Sequence, residues 1–189
     1  LGVAEEERLR GRGVSYCATC DGAFYKGKDV CVVGGGNTAA EDALYLARFA
    51  RRVTVVHRRD AFRAARLMVE RMQRTPNIEI LFDSVVESIS GSEKLESIAV
   101  KNLKTGLTRP LAMDGLFIAV GMEPQTALLG SQLTLEGGYI KAGEDTRTSV
   151  PLVYAAGDIR TKPLRQVVCA ASDGAVAAAM AQIDLDNLA

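Results

Sequence analysis

The stretch CATCDG, residues 17–22, sets two thiols two residues apart, a carboxyl directly after the second and a glycine after that. Thiols at this spacing serve three chemistries: part of a metal clip, a structural disulfide, or a dithiol that cycles between oxidised and reduced forms. In the last case the second sulfur is always at hand to resolve a mixed disulfide. Asp21 can give or take the proton that thiolate chemistry leaves over, and Asp21-Gly22 is equally a turn-forming pair. The remaining cysteines, Cys31 and Cys169, bear on the choice. A structural zinc site takes four ligands, usually as two CxxC knuckles or a CxxC with paired histidines. The only histidine of the chain is His57. Cys31 lies in an apolar strand-like run and Cys169 in an alanine-rich helical stretch, so both read as small core hydrophobes. A disulfide framework belongs to small secreted chains that lack a sufficient core. This chain has apolar segments to spare, and a cytosolic setting suits it better.

These residues must be held by something, and composition bounds what. The 189 residues carry zero formal net charge, with 48% hydrophobic and 24% charged residues, the profile of a soluble globular protein of one or two domains. No basic excess points to nucleic acid, and no apolar run is read as approaching the ~20 residues of a membrane span. The opening LGVAEEERLRGRG has no cationic n-region or apolar h-region, so it is not a signal peptide. It reads as a chain joined in mid-protein.

Periodicity supplies the elements. DVCVVG (29–34) is a strand, followed by a glycine turn and a helix over 37–50; RVTVV (52–56) is a second strand, followed by a helix over 61–74 stopped by Pro76. Strand, helix, strand, helix is a βαβ unit with a parallel sheet. Strand-like runs at 78–82, 85–90, 95–103 and 115–120 then suggest a meander and a return to the sheet. A loop-rich stretch after Gly121, a strand at 152–158 and a helix from about 164 to 183 complete the chain.

Gly34, Gly36 and Ala39 match G-x-G-x-x-A directly after a strand and before a helix, the setting of a dinucleotide fingerprint. The first glycine makes the tight turn, Gly36 lets a pyrophosphate approach the backbone, and Ala39 lets the helix pack closely. The helix N-terminus then holds the phosphates. An NAD site usually carries an acidic residue at the end of the second strand; here stands HRRDAFRA, 57–64. His57, Arg58 and Arg59 leave the strand together, and Arg63 returns to the same side at the first turn of the next helix. Three guanidiniums around one point suit a phosphate monoester, so NADP(H) is expected over NAD(H). The CxxC, in a loop about ten residues before the first strand of this unit, is not that of a thioredoxin domain, which sets its CxxC at a helix start. Hydride from nicotinamide reaches a disulfide through an intermediary, for which flavin is the usual carrier. Asp158, after Gly157 at a strand end, can bind a ribose or ribityl hydroxyl, and the helix N-terminus near Gln166 can face a flavin ring.

The stretch RGVSYCATCDGAFYKGKDVCVVGGGNTAAEDALYLARFARRVTVVHRRDAFRA resembles the NADPH domain of bacterial-type, low-molecular-weight thioredoxin reductases. GLFIAVGMEP, GYI and YAAGDIRTKPLRQVVCAASDGAVAA resemble the rest of that family's C-terminal half. The resemblance implies an α/β fold: a Rossmann-like, three-layer ββα NADPH-binding domain over 1–121, and the C-terminal part of an FAD-binding Rossmann-like domain over 122–189. It implies Cys17 and Cys20 as the redox-active disulfide and Asp21 as the acid. Gly34, Gly35, Gly36, Asn37 and Thr38 would cradle the NADPH pyrophosphate, and His57, Arg58, Arg59 and Arg63 its 2′-phosphate. Gly157, Asp158, Arg165, Gln166 and Val167 correspond to FAD-contacting positions. Electrons would pass from NADPH through FAD to the Cys17–Cys20 disulfide and on to thioredoxin, in a cytoplasmic homodimer whose NADPH domain rotates between half-reactions. The family's N-terminal FAD-binding segment has no counterpart here, so FAD is expected in the complete protein and poorly held by this chain. Two other readings stand beside it: the flavoprotein subunit of alkyl hydroperoxide reductase, which usually prefers NADH, and an NADPH-binding module without full activity.

Overall fold

In the computed structural model, which describes residues 1–129 and 131–188, the chain runs through ten strands and four helices among those residues. In order they are β1 (Val14–Ser15), α1 (Ala18–Asp21), β2 (Asp29–Gly34), α2 (Asn37–Leu46), β3 (Arg52–Val56), α3 (Arg66–Arg74) and β4 (Ile78–Leu81). There follow β5 (Ser84–Ser90), β6 (Ser97–Asn102), β7 (Thr108–Ala112), β8 (Gly115–Ala119), β9 (Leu135–Glu136), β10 (Tyr139–Ile140) and α4 (Val167–Asp186). Single 3-10 turns fill Gly22–Tyr25 and Gly157–Ile159. Two compact units divide the chain, Leu1–Gly121 and Met122–Ala189.

In the first unit β1, β8, β2, β3 and β4 pair in that order, all parallel, and β5, β6 and β7 form a separate antiparallel meander. The period-two alternation of the strands sorts their side chains into two cores. Cys31, Val33, Leu116 and Ile118 face one way, into a cluster with Val86, Ile89, Ile98 and Val100 of the meander. Val30, Val32, Val53, Val55 and Phe117 face the other, against Ala39, Ala40, Ala43 and Leu46 of α2 and Met72 of α3. The result is meander, sheet, helices: the α/β layering expected from the sequence. The sheet is pinned at its lower edge by Asp29, whose carboxylate accepts from Arg51 at 2.8 Å and Arg52 at 2.9 Å.

Several boundaries differ from the sequence reading. The second helix starts at Arg66 rather than 61, because residues 61–65 fold over the end of β3 and spend their backbone donors elsewhere. The last apolar run, 152–158, is not a strand: it makes one isolated bridge, Arg147 to Tyr154, before the 3-10 turn at Gly157. A strand needs a ladder, and one bridge is none. β7, TRPLA, lies between two of the strand-like runs and adds a strand to them; it is exposed along most of its length and holds Pro110, features that suit a sheet edge.

The second unit has a small core of Leu133, Ile140 and Ala155. Among the described residues α4 contributes no buried residue, so Cys169 is half-buried rather than a core hydrophobe; Cys31 is fully buried as expected. At 20 residues α4 is also long and apolar enough to cross a membrane by length and composition, a run the sequence reading did not count. Its hold on the unit is ionic. Arg147 donates to Asp184 at 2.7 and 2.9 Å, and Asp173 accepts from Arg160 at 3.0 Å and from Lys162.

Candidate functional site

Three groups of residues singled out in the sequence are placed by these elements, two in the first unit and one in the second. The dithiol stands at the upper end of β1. Cys17 leaves the strand in extended conformation and caps α1, its sulfur accepting from the Cys20 amide at 3.1 Å. The two sulfurs are joined in a disulfide across one helical turn, with the α-carbons 5.3 Å apart. Cys20 is an exposed residue and Cys17 a half-buried one. The loop placement expected from the sequence is therefore corrected: the motif follows a strand and opens a helical turn. Its separation from a thioredoxin domain rests instead on the five-stranded parallel sheet beneath it. Asp21 closes α1, its amide bonded to the Cys17 carbonyl at 3.1 Å and its carboxylate to the buried Ser15 hydroxyl at 2.7 Å.

The second group sits where the strand order turns. β2 lies between β8 and β3, so the chain leaves it to one side and returns to the other, and a crevice opens at the carboxyl ends. Each glycine of the turn after β2 has its own constraint. A Cβ on Gly34 would lie 2.7 Å from that of Ala39 and closer still to the Ala119 carbonyl oxygen. A Cβ on Gly35 would fall on the His57 ring, whereas one on Gly36 would meet nothing within 4 Å. Gly36 caps α2, and Asn37 and Thr38 are exposed at its first turn, where helix amides have no intrahelical partner. The protein's own packing thus demands the first two glycines, and the third borders open space at the positive end of a helix.

The loop after β3 is sewn onto that turn. The Arg63 amide donates to the Gly35 carbonyl at 2.8 Å, and the Ala65 amide, capping α3, donates to Asn37 Oδ1 at 2.8 Å. Arg63 therefore stands in the loop, not in the first turn of a helix as the sequence suggested. Arg58, Arg59 and Arg63 are exposed, and none forms an ion pair among the described residues. His57 is different: 6% exposed, its ring stacks on Phe62 at 5.1 Å and its Nε2 donates to the Ala61 carbonyl at 3.0 Å. Burial holds the imidazole below its ordinary pKa, with the charges of Arg59, Arg58 and Arg63 acting the same way. His57 supports the loop from beneath while the arginines face outward. A cleft of about 350 Å³ adjoins them, lined by Gly34, Gly35, His57, Arg58, Arg63 and Ser84 among others.

The third group gathers at the start of α4. Gly157 has φ +79° and donates its amide to Asp173 at 2.9 Å. Asp158 is exposed, and its carbonyl accepts from Arg165 Nε at 3.4 Å; the Arg165 guanidinium lies 4.0 Å over the Tyr139 ring. Gln166 caps α4 and Val167, its first residue, is 87% exposed. Asp158, Arg165 and Tyr139 border a shallow cleft of about 250 Å³.

Sequence reasoning did not single out Ser15, Phe62 or Ser84. A serine two residues before a CxxC and a phenylalanine within the arginine run were visible, but their partners are fixed only by the fold.

Known proteins are similar to this chain in sequence and in fold. The model of the pyridine nucleotide-disulphide oxidoreductase family matches residues 1–174. The thioredoxin reductase of Treponema pallidum is 45% identical over 188 residues, covering 100% of this chain and 61% of the relative. That of Streptomyces clavuligerus is 49% identical over 191 residues, covering 100% of this chain and 59% of the relative. The crystal structure of thioredoxin reductase from Streptococcus pyogenes superposes with a TM-score of 0.94 at 43% identity, over 99% of this chain and 62% of that one. The chain thus spans about 60% of the length of the relatives it matches.

Proposed function

The chain belongs to the pyridine nucleotide-disulphide oxidoreductase family, and we propose that it carries the NADPH site and the redox-active disulfide of a thioredoxin-disulfide reductase. The observation that supports this most is the pairing, within one unit, of a half-exposed Cys17–Cys20 disulfide with a glycine turn and an arginine loop built against each other. The residues fit a dinucleotide. Gly36 leaves room for a pyrophosphate at the N-terminus of α2, with Gly34, Gly35, Asn37 and Thr38 shaping the turn. Arg58, Arg59 and Arg63 are exposed and able to close on a 2′-phosphate with forked donors, His57 holding their loop in place. Flavin chemistry, when bound, couples a two-electron hydride donor to thiols. Gly157, Asp158, Arg165, Gln166 and Val167 would supply this chain's share of an FAD site, at the positive end of α4.

The dithiol's own part is proton and sulfur chemistry. Reduction breaks the Cys17–Cys20 bond and needs two electrons and two protons; Asp21, at the end of α1, is placed to exchange one of those protons. Exposure of Cys20 gives a partner disulfide access to one sulfur, and the second stays within reach to resolve the mixed disulfide. Thioredoxin is the proposed electron acceptor, and the two free thiols, Cys31 and Cys169, suit a reducing compartment such as the cytoplasm.

Two measurements on the 189-residue chain test this: titration with NADPH and NADH, and transfer from the chemically reduced chain to oxidised thioredoxin. Tighter binding of NADPH and stoichiometric thioredoxin reduction, lost in Cys17→Ser and Cys20→Ser, are the expected results. No dinucleotide binding, or no transfer, overturns the proposal. Preference for NADH would favour the alkyl hydroperoxide reductase reading.

A further inference from the structure

Ser15 lies at the end of β1, paired with Phe117 of β8 and only 4% exposed. A buried hydroxyl in this position needs partners, and it has three, all belonging to the dithiol turn. Its Oγ is 2.7 Å from Asp21 Oδ2, accepts from the Cys17 amide at 3.1 Å, and lies 3.3 Å from the Cys17 carbonyl oxygen. One proton on the hydroxyl therefore has two acceptors within reach.

We infer that Ser15 is a positioning residue that keeps the Asp21 carboxyl against the dithiol whether or not it carries a proton. With Asp21 ionised, the hydroxyl donates to Oδ2. With Asp21 protonated, the carboxyl donates to Oγ, which has a second lone pair beyond the one given to the Cys17 amide. The Ser15 proton then turns to the Cys17 carbonyl, which also accepts the Asp21 amide at 3.1 Å. Both states are satisfied by rotating one O–H bond. A carboxyl held by a backbone amide alone, which only donates, would on protonation keep a weaker bond through its carbonyl oxygen and leave the new O–H without an acceptor.

This rests on the dithiol reading proposed above. In the step concerned, one thiolate of the reduced pair attacks a substrate disulfide and releases a substrate thiolate. The second thiol then attacks the mixed disulfide, restoring the Cys17–Cys20 bond and releasing the other. Two substrate thiols form as one protein dithiol becomes a disulfide. Asp21 hands a proton to a departing thiolate and recovers one from the resolving thiol, so no proton is gained or lost at the carboxyl overall. The Tyr25 phenol of the next turn feels the charge of Asp21, and that of Asp114 as well.

The test uses the 189-residue chain in a Cys169→Ala background, reduced with dithiothreitol, and follows re-formation of the disulfide with hydroxyethyl disulfide, whose alkyl thiolate needs a proton to leave. Ser15→Ala is expected to slow the exchange about tenfold, within the range of general acid–base catalysis, while Ser15→Thr, which keeps the hydroxyl, stays within about threefold of the parent. In an Asp21→Asn background Ser15→Ala is expected to add no further loss. A Ser15→Ala rate equal to the parent, a further tenfold loss on top of Asp21→Asn, or no effect of Asp21→Asn itself would each overturn the inference. Urea unfolding of each variant reports whether the fold survives; should Ser15→Ala unfold, Ser15→Val against Ser15→Thr carries the same comparison at matched volume and strand propensity. Because neither dinucleotide nor flavin enters this assay, failure of the proposed cofactor site leaves its outcome unchanged.

Discussion

The His57 imidazole occupies the volume that a methyl group on Gly35 would need, so the turn after β2 and the end of β3 are fitted to each other. Gly35→Ala must drive the ring off Phe62 and the Ala61 carbonyl. Overpacking of this kind costs about 1–3 kcal/mol, to be read as a lower urea midpoint. His57→Ala in the Gly35→Ala background is expected to recover part of that loss, since the two changes share one space. Additive losses in the double-mutant cycle would show that the two residues do not compete for it.

His57 also gives stability a pH dependence of known sign. Burial holds its folded-state pKa below the unfolded value of about 6.5. Above that value both states are neutral and the full stability is present. As pH falls below it, the unfolded chain takes up the proton first and stability declines toward the folded-state pKa. Asp42 acts oppositely over part of the range: burial, with Glu41 adding, raises its carboxyl to about 6, favouring the folded state as pH falls. The difference between parent and His57→Gln unfolding curves, from about pH 8 to about pH 5, isolates the histidine. A parallel pair of curves would contradict the assignment.

Arg58→Ala and Arg59→Ala are expected to weaken NADPH binding about tenfold each, the loss of one charge-assisted hydrogen bond to phosphate. NADH binding should change by less than about twofold. Isothermal titration with both dinucleotides separates the outcomes, and equal losses would remove the 2′-phosphate from the reading.

A stabilising change is available in the second unit. Val150–Val153 is a turn closed by the Val153 amide on the Val150 carbonyl at 3.2 Å, with Pro151 second and Leu152 third. Leu152 has φ +64°, and the third position of a type II turn belongs to glycine. A left-handed leucine costs about 1–2 kcal/mol, against about 0.4–1 kcal/mol for the looser unfolded chain that glycine brings. Leu152→Gly is expected to raise stability by up to about 1 kcal/mol, read from the urea midpoint, because half of the leucine side chain already lies in solvent. A lower midpoint would contradict it.

Much of the first unit was legible because its signals are local. The strand DVCVVG, the glycine turn and the helix after it carry their own periodicity, and the CxxC is a motif of four residues. What the sequence withheld depends on partners far along the chain. The helix expected from 61 begins at Arg66 because Arg63 and Ala65 give their amides to Gly35 and Asn37. The grouping of His57 with the arginines was plain, but not that its ring would be buried beneath them. The strand expected at 152–158 has the right residues and only one bridge to support it. Cys169 sits in an apolar helix whose surface stays open, so its composition alone misplaced it.

The stitching of the arginine loop onto the glycine turn separates the frame from the lettering. Its backbone bond, Arg63 to Gly35, uses an amide that every residue except proline possesses, and Asn37 likewise holds the main chain of Ala65. Positions 58, 59 and 63 can therefore change side chain while the path of the loop stays fixed. An evolving lineage, or a protein engineer, can rewrite the charges that this loop presents and leave the architecture beneath them untouched.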